Sequence, residues 1–158
     1  MSLLDKNTNI IRKAFDALNN GILDNIQEFI SSDYINHEAL DDSGERANLN
    51  GPDEFRNSVR LLRNAFADLH FEEKEIITTE DKVVARVVMS GRQVNDIMGS
   101  PPTQREFSAQ QIHIFHIAGS KIIEHRAVRD DLSMMLQLGL AQISNRKLTT
   151  RQGSSIRK

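Results

Sequence analysis

The stretch KIIEHRAVRDDLSMMLQLG, residues 121–139, runs as a strand into two adjacent carboxylates, Asp130 and Asp131, and then into a Met-rich apolar run closed by Gly139. A carboxylate held in a dry pocket has a raised pKa and can both take and return a proton. Histidine does similar work nearer neutrality. The preceding strand, IHIFHI, supplies His113 and His116. Strand alternation sets partners by parity. A two-residue turn within Ala118-Gly119-Ser120 pairs odd positions of the first strand with even positions of the second. On that count His113, Phe115, Arg126, Val128 and Asp130 share one face, and Ile112, Ile114, His116, His125, Ala127 and Arg129 the other. Asp130 is thus the candidate pocket carboxylate, with a helix cap or an ion pair to Arg126 or Arg86 as its structural alternative. Asp131, directly before the helical run, is the candidate N-cap.

Other candidates lie further up the chain. His37 in YINHEAL either meets a ligand or satisfies loop carbonyls. Arg86 in VVARVV is a charge within a β-branched strand and needs a partner, in a pocket or at the surface. His113 either shares a proton transfer or bonds a neighbouring strand. His113 and His116 point to opposite faces of a strand and cannot chelate one ion together, so no metal site is expected. No Gly-rich phosphate loop is present.

The elements that must position these groups follow from periodicity. Residues 5–20 read as an amphipathic helix with Ile10, Ile11, Ala14, Phe15 and Leu18 on one stripe, ended at Asn20-Gly21. A shorter helix is expected over 23–30. DDSGERANLNGP reads as a loop, and Pro52 opens a third helix with Phe55, Val59, Leu62 and Phe66 inward. The period then becomes two. Four strands are expected, the last two joined by a tight turn, with a short helix over 132–138. Helices segregated from sequential strands predict an α+β fold: a curved antiparallel sheet wrapped on the N-terminal helices, with a pocket between them. Apolar residues on both faces of IHIFHI predict a homodimer through the sheet.

Composition bounds the class. The 158 residues suit one core, 39% of them hydrophobic and 27% charged, with no Cys to form disulfides or thiolate sites. The segment 143–158 has five Lys/Arg and no acid, which leaves the body with a net charge of −7. An acidic body argues against nucleic-acid binding. No apolar run is long enough to span a membrane and no secretory leader is visible, so a cytoplasmic protein is expected. Residues 1–142 are read as one domain and 143–158 as a basic, disordered tail.

HIFHIAGSKIIEHRAVRDDLSMMLQLG resembles the C-terminal pattern of SnoaL-like polyketide cyclases, also called ester cyclases. There, F-R-x-x-x-G-K-I-x-E-H-W leads to an Asp and an L-G-x-x-x-Q-L-G helix. YINHEAL, GPDEFRNSVRLLRNAFADLHFEEKEII and MSGRQVNDIMGSPPTQREF are similar to further family segments, over about residues 5–140. The resemblance implies a cone-shaped fold of the nuclear-transport-factor-two-like superfamily. It implies an intramolecular aldol condensation without metal or cofactor, with one pocket Asp as general acid/base. On this register Asp130 is that Asp; the shared strand face makes His113 its candidate catalytic companion. His37, Arg86, Arg126 and Phe115 are the candidate contacts to a small carbonyl-containing ligand. The sequence departs from the pattern at Arg126 (Trp in the family), His116 (Arg) and Ser133 (Gly). Arg126 suits an acidic or strongly polar ligand. The same superfamily also holds non-catalytic ligand-binding and interaction modules.

Overall fold

The computed structural model describes residues 1–39 and 49–144. Most of the expected loop at 41–52 and of the basic tail lies outside them. Helix α1, Leu3–Asn20, opens on a reciprocal cap between Ser2 and Asp5 and closes at Gly21 in the left-handed region. Its buried stripe is Ile10, Ile11, Ala14 and Phe15. The helix expected over 23–30 is only a 3-10 turn, Ile26–Glu28. The chain leaves it at once into strand β1, Ile30–Asn36, an element that local periodicity does not announce.

Helix α2 spans Gly51–Ala65, with Pro52 in its first turn and Asp53 and Glu54 beside it. Gly51 sits at φ +65°, and a Cβ there would meet the Ser32 carbonyl oxygen at 2.5 Å. The glycine therefore lets α2 start directly against β1. Strands β2 (Phe66–Thr78), β3 (Lys82–Gln93), β4 (Glu106–Ala118) and β5 (Lys121–Arg129) follow, and then helix α3, Asp131–Gln137.

The five strands form one curved sheet in the order β1-β5-β4-β3-β2. It is mixed rather than wholly antiparallel, because β1 runs parallel to β5 at the edge, with Asn36 beside His125. Burial alternates strictly along β3 and β4. Val83, Ala85, Val87, Met89, Phe107, Ala109 and Phe115 line the inner face and pack on α1 and α2. Each fully buried Val, Met or Phe among them contributes roughly 1.5–3 kcal/mol.

One local irregularity decides which side chains reach the interior. The β4–β5 turn has the expected two residues, Gly119-Ser120, both at positive φ, between the paired Ala118 and Lys121. Pairing then slips by one residue: Ile117 faces Ile122, but His116 faces Glu124. Ile123 is the extra residue of a β-bulge. Beyond it, Phe115 pairs with His125, His113 with Ala127 and Gln111 with Arg129. The face assignment read from turn length alone is therefore inverted for β5. His125, Ala127 and Arg129 share the inner face with His113, whereas Arg126 and Val128 lie opposite Ile114 and Ile112 on the outer face.

Candidate active site

Between α1, α2, α3 and the concave face of the sheet lies a cavity of about 440 Å³. Most of its wall is apolar, including Phe15, Leu18, Phe55, Leu62, Phe66, Phe71 and Met89. Many of its polar groups lie on the β4–β5–β1 side: Gln111, His113, His125, Asn36 and Arg129, the last residue of β5, with Asp131 at the start of α3. Tyr34, Glu38, Ser58, Asn64 and Asp96 complete the polar lining. A small number of placed polar groups in an apolar wall is the usual makeup of a small-molecule site. A wider hollow of about 650 Å³ at Gly21–Asp24 and Arg63 is open to the surface and holds none of these groups except Asn64.

The polar wall is a continuous ladder. Gln111 Oε1 lies 2.9 Å from His113 Nε2, and His113 Nδ1 lies 2.8 Å from His125 Nε2. His125 Nδ1 lies 2.8 Å from Asn36 Oδ1. Asn36 Nδ2 then donates to Glu54 Oε1 at 3.2 Å, which also accepts from the Ser58 hydroxyl. Each rung is placed by a different register: Gln111 and His113 alternate along β4, His125 stands opposite Phe115 across the bulged hairpin, and Asn36 lies beside it on the parallel edge strand. The rings are clamped by aromatic contacts. His113 meets Phe15 edge-on at 5.5 Å, and His125 stacks on Phe115 at 4.9 Å.

Burial sets the protonation of this wall. His113 is 7% exposed, and desolvation, with the Arg129 charge added, lowers its pKa to about 4. His125 is held well below the usual histidine value by desolvation first, then by His113, Arg129 and His37. Both imidazoles are therefore neutral at neutral pH. Glu54 has no exposed surface, and burial raises its pKa against the opposing hydrogen bonds from Ser58 and Asn36. Its Oε2 is buried without a partner among the described residues.

Of the residues singled out from sequence, His113 and Phe115 line the cavity. The other four do not. Asp130 is turned outward and caps α3, its carboxylate accepting from Ser133 N–H at 3.0 Å. Arg126 is exposed on the outer face and pairs with Glu124 at 3.1 Å. Arg86 lies on the same outer face between Glu75 and Gln110, which is the surface-acid alternative. His37 is just past β1, with its ring 2.6 Å from Glu124. The two aspartates exchange places relative to the expectation: Asp131, in the first turn of α3, lines the cavity, 3.4 Å from Arg129 Nε. Gln111, His125, Arg129 and Asp131 were not expected there. His125 was legible only to a reader who placed a bulge within KIIEH.

A family model described as SnoaL-like polyketide cyclase matches residues 8–138. The chain belongs to this family. It is 37% identical over 131 residues to the aklanonic acid methyl ester cyclase of Streptomyces peucetius, a match that covers 82% of this chain and 88% of that protein. It is 36% identical over 124 residues to the nogalonic acid methyl ester cyclase of Streptomyces nogalater, over 78% of this chain and 90% of that one. Among solved structures, TsrD from Streptomyces laurentii superposes with a TM-score of 0.77 at 26% identity, covering 87% of this chain and 97% of TsrD. The polyketide-cyclase family is thus supported at the level of sequence and fold over nearly the whole described chain, and the α+β expectation holds.

Proposed function

We propose that the protein is a cyclase that closes a ring within a small carbonyl-containing molecule by acid/base chemistry. The observation that carries this reading is the ladder of Gln111, two neutral imidazoles and Asn36, set into a cavity whose wall is mostly apolar. In an aldol closure a proton leaves a carbon beside a carbonyl, and the resulting enolate attacks a second carbonyl of the same molecule. The new alkoxide then takes a proton, so the product is an isomer of the substrate. The apolar wall folds the substrate and excludes water, while the Gln111 N–H groups, held only by the weak thioether acceptor of Met89, are the donors for the carbonyl that becomes the enolate.

The acid/base carboxylate that the family resemblance implies is assigned to Asp131 rather than Asp130, because Asp131 lines the cavity and Asp130 is committed to the cap. Phe115 and Phe15 are the stacking contacts for a planar substrate. Two relatives are named as methyl ester cyclases, and a methyl ester of this kind is the first substrate to try. The outer face, where Ile112, Ile114 and Val128 are 45%, 42% and 76% exposed, is assigned to a second copy of the chain.

A ligand-binding pocket without turnover is the second reading. It is favoured by the saturation of both imidazoles, every ring nitrogen of which already has a partner. Incubation of the purified chain with aklanonic acid methyl ester, followed by chromatography for an isomeric product, separates the two. Isomer formation that is lost in Asp131→Asn supports the cyclase. Tight binding with no isomer leaves the binding pocket.

A further inference from the structure

The geometry of the ladder dictates its proton count. Asn36 is locked in one orientation. Its Oδ1 accepts from the Glu38 backbone N–H at 3.0 Å, and its Nδ2 donates toward Glu54 and Ser58. Turning the amide over would set N–H against N–H at one end and oxygen against carboxylate at the other. Asn36 therefore presents an acceptor to His125, and His125 Nδ1 must carry a hydrogen. In a neutral imidazole the other nitrogen is then bare. His125 Nε2 must accept from His113 Nδ1–H, which leaves His113 Nε2 bare in turn. A bare Nε2 needs a donor from Gln111, yet Gln111 points its carbonyl oxygen at it. The arrangement with Oε1 toward His113 is complete only when the two rings share three hydrogens, that is, when the pair carries one extra proton.

Gln111 is also the one end that can turn. Its Nε2 rests 3.1 Å from the thioether sulfur of Met89, a weak acceptor that is cheaply given up. We propose that the ladder is a directional proton store in which the Gln111 amide is the gate. With two ring hydrogens, Gln111 donates Nε2–H to His113. When a proton arrives at His113 Nε2, the amide turns, accepts that N–H through Oε1 and swings its own N–H groups toward Met89. The proton that leaves the substrate carbon is taken by Asp131 and relayed to His113 Nε2, the ladder gains one positive charge as the enolate gains one negative charge, and the same proton returns to the new alkoxide, so no bond to carbon is made or broken in the ladder itself. Under the cyclase reading, on which the catalytic use of this device rests, the charge appears as the enolate becomes negative. Gln111 is thus a positioning residue that acts through His113. The groups that face the ladder and bias its charge are Arg129 from β5, Asp131 from α3, Glu54 from α2, Tyr34 from β1 and His37 beyond it. From α1 and β2 the rings of Phe15 and Phe71 face it.

Histidine-selective long-range 1H–15N NMR on the full chain tests the store without any substrate. At pH 7 both His113 and His125 are expected as the Nδ1–H tautomer, the less common form in water. An Nε2–H tautomer at either ring overturns the proposal. In Gln111→Glu the gate is a fixed acceptor, so both ring nitrogens of His113 should move into the protonated range at pH 7. A His113 that stays singly protonated in a folded Gln111→Glu chain also overturns it. If that variant fails to fold, Asn36→Leu serves instead: with the locked acceptor gone, His125 should leave the Nδ1–H form, and a His125 that keeps it sinks the argument. The turnover assay is read separately. The expected tautomers without cyclisation reject the cyclase and keep the store, whereas cyclisation with the wrong tautomers does the reverse.

Discussion

Strands β4 and β5 carry two surfaces that alternate residue by residue and differ in kind. Inward, Gln111, His113 and His125 are bonded in series behind aromatic rings. Outward, one residue away in each case, Ile112, Ile114, Arg126 and Val128 meet solvent. Similar side-chain types thus have different consequences. The inner histidines lose affinity for protons because desolvation penalises their charged form, whereas Arg126 outside makes an exposed pair with Glu124 of the kind worth about 0–1 kcal/mol. Proximity in sequence therefore says little about chemistry in a sheet. The face decides, and here the bulge at Ile123 decides the face.

The inner face is most sensitive at the ladder. His125→Phe keeps a ring against Phe115 but removes the middle of the series, and turnover of a cyclisable methyl ester should fall by roughly 10²-fold or more. Single-turnover kinetics would measure it, and unchanged turnover would mean the inner face is only packing.

The next effect is on stability against pH. The folded-state pKa of His113 is depressed to about 4, so the native state resists a proton that the unfolded chain accepts. Stability is full above the unfolded value near 6.5. It should fall as the pH drops from there toward 4, by about 3 kcal/mol in all. Urea unfolding at pH 7 and pH 4.5 checks the sign, and His113→Gln should flatten much of the slope.

A smaller effect separates the adjacent aspartates. Asp130→Ala removes the cap of α3 and should cost about 1 kcal/mol. Asp131→Ala should leave the melting temperature nearly unchanged while reducing turnover. Thermal unfolding of both variants reads the first outcome, and the reverse ranking would restore Asp130 to the pocket.

The smallest expected change is in the fold of outer-face variants. Ile112→Lys with Ile114→Lys touches side chains already more than two-fifths exposed, and each should shift the stability of a single subunit by about 0.5 kcal/mol or less. If that face joins two copies, the same double variant should halve the mass measured by light scattering. A wild-type chain that is already monomeric at micromolar concentration removes the dimer from the reading.

Much of the architecture was open to a sequence reader. The α1 stripe, the Pro52 start of α2, the alternation of β3 and β4, the two-residue turn and the short last helix all follow from local periodicity and turn chemistry. Strand β1 was missed because it is short and at the sheet edge. Its partner is β5, some 90 residues away, and ISSDYIN shows no clean alternation by itself.

The site was legible in its residue types but not in its geometry. His113 and Phe115 reach the cavity because their strand is regular and alternation alone places them. His125, Arg129 and the two aspartates lie beyond a one-residue slip, and period two turns one such slip into an exchange of every later side chain. By itself the sequence determined the elements, the family pattern and the presence of two histidines and two adjacent carboxylates near a strand end. Tertiary structure alone decided which of them face the cavity, that Asn36 from a distant edge strand completes the ladder, and that the imidazoles are neutral. Those outcomes depend on register and desolvation, which arise only when separate segments pack together.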